Sequence, residues 1–141
     1  MKRISIVLAG LLAAISINFA QAADQTLYDE LGGKPGVTKI IDDFVGNVAG
    51  DNRINGFFAN ANIPRLKMLL VEQICAGAGG GCTYTGKNMV DSHKGMKIKS
   101  ADFNALVEDL QKSLQSNNLP IGAQNRLLAM LAPMKPDVDN K

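Results

Sequence analysis

Six apolar residues, Val37, Ile40, Ile41, Phe44, Val45 and Val48, recur at steps of three and four. That spacing lines up on one side of a helix, so the stretch must bury a face against another element. Lys34-Pro35-Gly36 opens it and Gly50-Asp51 closes it. Behind Pro64, a residue the first helical turn tolerates, Leu66, Leu69, Leu70, Gln73 and Ile74 give a second such face. After Ser100, a good N-cap, Phe103, Leu106, Val107, Leu110 and Leu114 give a third. Pro120 starts a fourth, carried by Leu127, Leu128 and Leu131 as far as Pro133. The connections are equally legible. "NRINGFFANAN" reads as a corner with Phe57 and Phe58 turned inward, and five glycines within 77–86 cannot stay helical. The closing "KPDVDNK" is expected to fray. With no repeat and no strand-like alternation, the fold class expected is all-α, about five helices in one domain.

The first 22 residues are set apart. Lys2 and Arg3 precede an apolar run from Ile4 to Ile17, and Ala20 and Ala22 stand three and one before a cut. This is the pattern of a cleavable signal peptide over residues 1–22, leaving a domain over 23–141 in the periplasm or outside the cell. The alternative, an uncleaved anchor, is opposed by a run shorter than the roughly 20 residues that span a bilayer. Without Lys2 and Arg3, 13 basic residues balance 13 acidic ones. A neutral chain with no basic face or RNP-like aromatic pattern is not expected to bind nucleic acid. Nor is it expected to bind a membrane after cleavage. Cys75 and Cys82 read first as a disulfide in an exported chain, with two free thiols as the alternative. The short loop would stabilise by about 2–3 kcal/mol.

Hydrolytic chemistry finds little support. A single histidine, His93, makes a poor triad without a nucleophile beside it. Asp42 and Asp43 point to different sides of their helix, and there is no phosphate-cradle motif or metal cluster at ligand spacing. Met89 and His93, four apart, would share one face of a helical turn that Gly95 can end. An inward imidazole in an open apolar helical frame suits axial ligation of haem iron, with the sixth position left for a diatomic gas.

The motifs then fall in order. "LYDELGG" (27–33), "IIDDFVGNV" (40–48), "NGFF" (55–58), "RLKMLLVEQICAGAGG" (65–80) and "YTGKNMVDSHKGMKI" (84–98) together resemble the group I truncated haemoglobins, the bacterial two-over-two globins. The resemblance covers about residues 26–135. It implies a two-over-two helical sandwich and a noncovalent haem b, since no Cys-x-x-Cys-His is present. It implies His93 as the proximal ligand, with Phe44, Phe58, Met89, Tyr84, Leu66 and Leu70 around the haem. Lys67, Lys87, Lys94 and Lys97 are candidates to meet the propionates.

The distal side departs from the family. Where many members carry a tyrosine and a glutamine, this chain has Val45 and Leu70, with Leu66 also apolar. Gln73, on roughly the same face, could reach the pocket or lie at the porphyrin edge. Each donor to bound oxygen is worth roughly 1–2 kcal/mol. Losing two would speed release by a factor on the order of 10 to 1,000. The expectation is a gas-binding protein for oxygen, NO or CO, working as a monomer with an unidentified reductase. Alternatives are an NO dioxygenase or peroxidase, which the apolar distal side disfavours, or a haem-carrying electron-transfer protein.

Overall fold

The computed structural model describes residues 24–139, so the signal-peptide reading lies outside the described residues. Those residues are helical, with no strand among them. The helices are α1 (Leu27–Glu30), α2 (Gly33–Gly50), α3 (Ile63–Gly77), α4 (Met89–His93), α5 (Ser100–Ser116), α6 (Ile121–Leu131) and α7 (Lys135–Val138). A 3-10 turn at Asn55–Phe58 makes the corner between α2 and α3, and another at Ala132–Met134 joins α6 to α7.

The apolar stripe of α2 is the hub. Val37, Ile40, Ile41, Phe44 and Val48 are buried, as are Leu110 and Leu114 of α5, Ile74 of α3 and Leu127 of α6. α2 packs against both α3 and α5, and α5 against α6. Burying a side chain the size of Leu114 contributes about 1.5–3 kcal/mol. The α2–α5 crossing is close enough for the Ser113 hydroxyl to donate to the Ile40 carbonyl at 2.5 Å. The free end of α2 is fastened by Arg53, which bridges Asp51 at 2.7 Å and Glu108 of α5 at 2.7 Å. Asp42 does not stand free in solvent: it accepts from Lys67 Nζ at 2.9 Å and joins α2 to α3. At the other end, Arg126 of α6 pairs with Glu30 of α1.

Two expectations are corrected. The described part of the tail does not fray: residues 135–138 form α7, Val138 is buried, and the helix packs on α4. Ser100 does not cap α5; it is the first residue of that helix. Its hydroxyl instead donates to Asp139 Oδ2 at 2.7 Å and accepts from Lys135 Nζ at 2.6 Å. The Lys99 amide is satisfied by Asp102 Oδ2 at 2.8 Å. One non-local network therefore explains both differences, since the tail is anchored by the residue expected to cap.

Candidate functional site

α4 is only five residues long, so its geometry depends on caps and neighbours. Asn88 caps it, accepting from the Asp91 amide at 2.8 Å and donating to Asp91 Oδ2 at 2.7 Å. Inside this turn His93 Nδ1 lies 2.7 Å from the Met89 carbonyl. A carbonyl only accepts, so Nδ1 carries the proton and Nε2 is left with its lone pair. The ring is thus held in one tautomer and aimed by the backbone four residues before it, an arrangement suited to ligating a metal through Nε2. His93 is half-buried. Gly95, at φ 77°, turns the chain away in the left-handed region that favours glycine.

Gln73 links this turn to α3. Its amide is 3.7 Å from Met89 Sδ and 3.2 Å from Met134 Sδ. Leu66, Leu70 and Gln73 share a helical face by their spacing, so the α3 face that carries them turns towards α4. Val45, Leu70 and Phe58 are half-buried and pack against the common core, to which Phe44 belongs outright. Leu66 and Met89 are half-buried as well. α2, the 3-10 corner and α3 therefore present half-buried apolar side chains on the core, and α4 presents one imidazole with Met89 on the same turn. The chemistry of that set fits an apolar macrocycle with an iron at its centre: apolar side chains and one nitrogen donor.

Tyr84 is placed differently from the other expected contacts. Its hydroxyl donates to the Lys87 carbonyl at 2.8 Å and closes the turn before α4. The loop from 78 to 88 is tied to α3 at two points. Cys75 and Cys82 form a disulfide, with Cα atoms 5.5 Å apart. Glu72 Oε2 accepts from the Thr85 hydroxyl at 2.7 Å and the Thr85 amide at 2.9 Å. Those bonds, the hydroxyl first, hold the Glu72 carboxyl below its ordinary value. Around the disulfide the space is full: a Cβ on Gly80 would sit 2.6 Å from Cys75 Sγ and 2.7 Å from the Tyr28 ring. Of the lysines expected near the rim, Lys67 is engaged with Asp42, while Lys87, Lys94 and Lys97 are exposed.

Glu72, Thr85, Asn88 and Met134 position the site yet carried no expectation from sequence. The Asn88–Asp91 spacing is a cap signature that could have been seen. The Glu72–Thr85 and Gln73–Met134 contacts depend on the fold.

The family model for the Bacterial-like globin matches residues 26–140. The chain is a bacterial-like globin. Consistent with that, the globin is 30% identical over 124 residues to a group 1 truncated haemoglobin of Mycolicibacterium paratuberculosis, covering 88% of this chain and 91% of that protein. It is 27% identical to the truncated haemoglobin of Tetrahymena pyriformis, whose Fe(III) crystal structure superposes with a TM-score of 0.80 over 83% of this globin and 100% of that chain. The two-over-two haemoglobin of Synechococcus, solved in the cyanomet state with covalently attached haem, matches with a TM-score of 0.77 at 25% identity. That structure covers 82% of this globin and 99% of its own chain. The expected fold and family are therefore shown, and with them haem-based gas binding as the class of function.

Proposed function

We propose that this globin holds a noncovalent haem b with His93 Nε2 as proximal ligand and reversibly binds oxygen, or another small diatomic gas such as NO or CO. The observation that carries the reading is the 2.7 Å contact from His93 Nδ1 to the Met89 carbonyl, which leaves Nε2 as the free donor. The haem supplies a Lewis-acidic iron with one position left for the gas. The chain supplies the rest. Asn88 and the Met89 carbonyl orient the imidazole; Met89 and Phe58 would pack on the haem, and Val45, Leu66 and Leu70 would keep water from the bound gas. Because Val45 and Leu70 offer no proton, bound oxygen is held weakly and released fast. This absence of donors also favours gas binding over an oxidising enzyme, which needs polar groups to stabilise charge on oxygen. His93 is the sole histidine and no Cys-x-x-Cys-His exists, which supports noncovalent attachment.

Export belongs to the same proposal. It rests on the 1–22 signal pattern and agrees with a disulfide at Cys75–Cys82. Reconstitution with haemin tests the cofactor. The expected result is one equivalent of haem, fully extractable into acidified butanone, and a carbonyl spectrum after reduction. No haem uptake, or haem that resists extraction, would contradict it. N-terminal sequencing of the protein made in a bacterial host tests export, with Ala23 expected as the first residue.

A further inference from the structure

The segment that carries His93 is also the most basic stretch of the chain. Residues 87–99 hold four lysines, Lys87, Lys94, Lys97 and Lys99, against the single carboxylate of Asp91. The rest of residues 24–139 holds eight basic side chains against twelve acidic ones, so this segment is positive where the remainder is negative. All four lysines are exposed. None forms an ion pair among the described residues, whereas six of the other eight cations do. Asp91, whose Oδ2 accepts from the Asn88 amide, offsets one of these four charges and forms no ion pair among the described residues.

The lysines also sit together. Val90 and Lys94, the C-cap, are four apart on one side of the α4 turn, Lys87 directly precedes its N-cap Asn88, and Met89 and His93 are half-buried on another side. Val90 is 40% exposed, an apolar centre among the cations. From Lys94 to Lys99 the backbone can span at most about 18 Å. Lys97 adds a separate signal. It has φ 56°, one of two non-glycine residues at positive φ among the described residues. Glycine would hold that backbone more easily, so the lysine is kept there against local preference.

An exposed apolar side chain in one segment with four exposed cations that form no ion pair, the segment that carries His93, has the composition of a transient protein interface. We propose that this surface docks a small acidic one-electron carrier protein, which reduces the haem iron from Fe(III) to Fe(II) and is itself oxidised by one electron. The inference rests on the haem reading, since only the ferrous globin binds oxygen. A membrane is the poorer partner: in this segment Val90 alone is a large exposed apolar side chain, too little to enter a lipid interface.

The test uses the ferric holoprotein and flavodoxin as the acidic probe. Dissociation constants are measured at 20 and 300 mM salt for wild type, the double variant Lys94→Glu/Lys97→Glu, Lys97→Gly, and Lys34→Glu as a charge-reversal control on α2. Reduction rates are taken with reduced flavodoxin and, separately, dithionite. The wild type should bind flavodoxin at least tenfold more weakly at high salt. The double variant should lose tenfold or more in both affinity and flavodoxin-driven reduction. Its dithionite rate and its haem-loss rate to a scavenger globin should stay within twofold, as should all values for Lys34→Glu. Lys97→Gly should melt no lower than wild type and still bind more weakly. The proposal is overturned if the variants bind alike, or if wild type binds phosphatidylglycerol vesicles and not flavodoxin. It is also overturned if haem loss accelerates with the double variant, because the lysines then serve the haem edge. A protein that takes up no haem would fail the haem reading, while the affinity measurement would still decide the surface.

Discussion

Val45→Tyr and Leu70→Gln together should convert a fast oxygen releaser into a slow one. The two side chains are half-buried and pack on the core that α2 and α3 share. Neither carries a hydrogen-bond donor, whereas bound oxygen bears partial negative charge. A donor to such a group is worth about 1–2 kcal/mol. At 1.4 kcal/mol per decade each substitution should slow release by about 5- to 30-fold, and the pair by roughly 30- to 1,000-fold if additive. Both act on one ligand, so a double-mutant cycle should reveal coupling. The loss of packing is modest, about 1 kcal/mol per site, because each wild-type side chain is only partly buried. Stopped-flow displacement of oxygen by carbon monoxide reads the rates. Carbon monoxide release is the control and should change by no more than about threefold, since that ligand gains little from donors. Slow release from the wild type, left unchanged by the pair, would refute the reasoning and mean that another donor, Gln73 foremost, already reaches the ligand.

Other consequences are as direct. Cys82→Ser should lower stability by about 2–3 kcal/mol and the melting temperature by about 10 °C, read by circular dichroism. Full alkylation of both native cysteines without reductant would show that no disulfide exists to lose. Gly80→Ala should cost about 1–3 kcal/mol, because the new methyl meets Cys75 Sγ and the Tyr28 ring at under 3 Å. An unchanged denaturation midpoint would show that the loop yields freely. The Glu72 carboxyl is depressed by its bonds to Thr85. The tie is therefore complete above its ordinary value of 4.5 and lost as pH falls through the lower folded value. Haem loss from wild type should accelerate in acid more steeply than from Glu72→Gln, and parallel profiles would exclude Glu72 as the titrating group.

The α2 stripe was legible because its burial is a property of spacing: five of its six residues are buried, and Val45, the sixth, is half-buried on the rim of the core. The same holds for the corner at Phe57–Phe58 and the helix start near Pro64. Met89 and His93, four apart, were expected on one helical turn, and α4 places them there. The tail was not. Nothing within "KPDVDNK" says that Val138 will be covered, because α4 and Ser100, which receive it, lie 35 or more residues away. The Glu72–Thr85 tie is hidden for the same reason: a carboxylate on a helix edge looks solvated until the fold brings a hydroxyl and an amide to it. For Gln73, sequence gave a face and left two destinations open. The fold sets its amide against Met89 of α4 and Met134.

The absorption spectrum of ferrous His93→Ala, with and without added imidazole, tests the central claim most directly. If Nε2 of His93 is the proximal ligand, the variant should lose the five-coordinate histidine-type spectrum, and imidazole diffusing into the vacated space should restore it. The same spectrum from the variant without imidazole would show that another group ligates the iron.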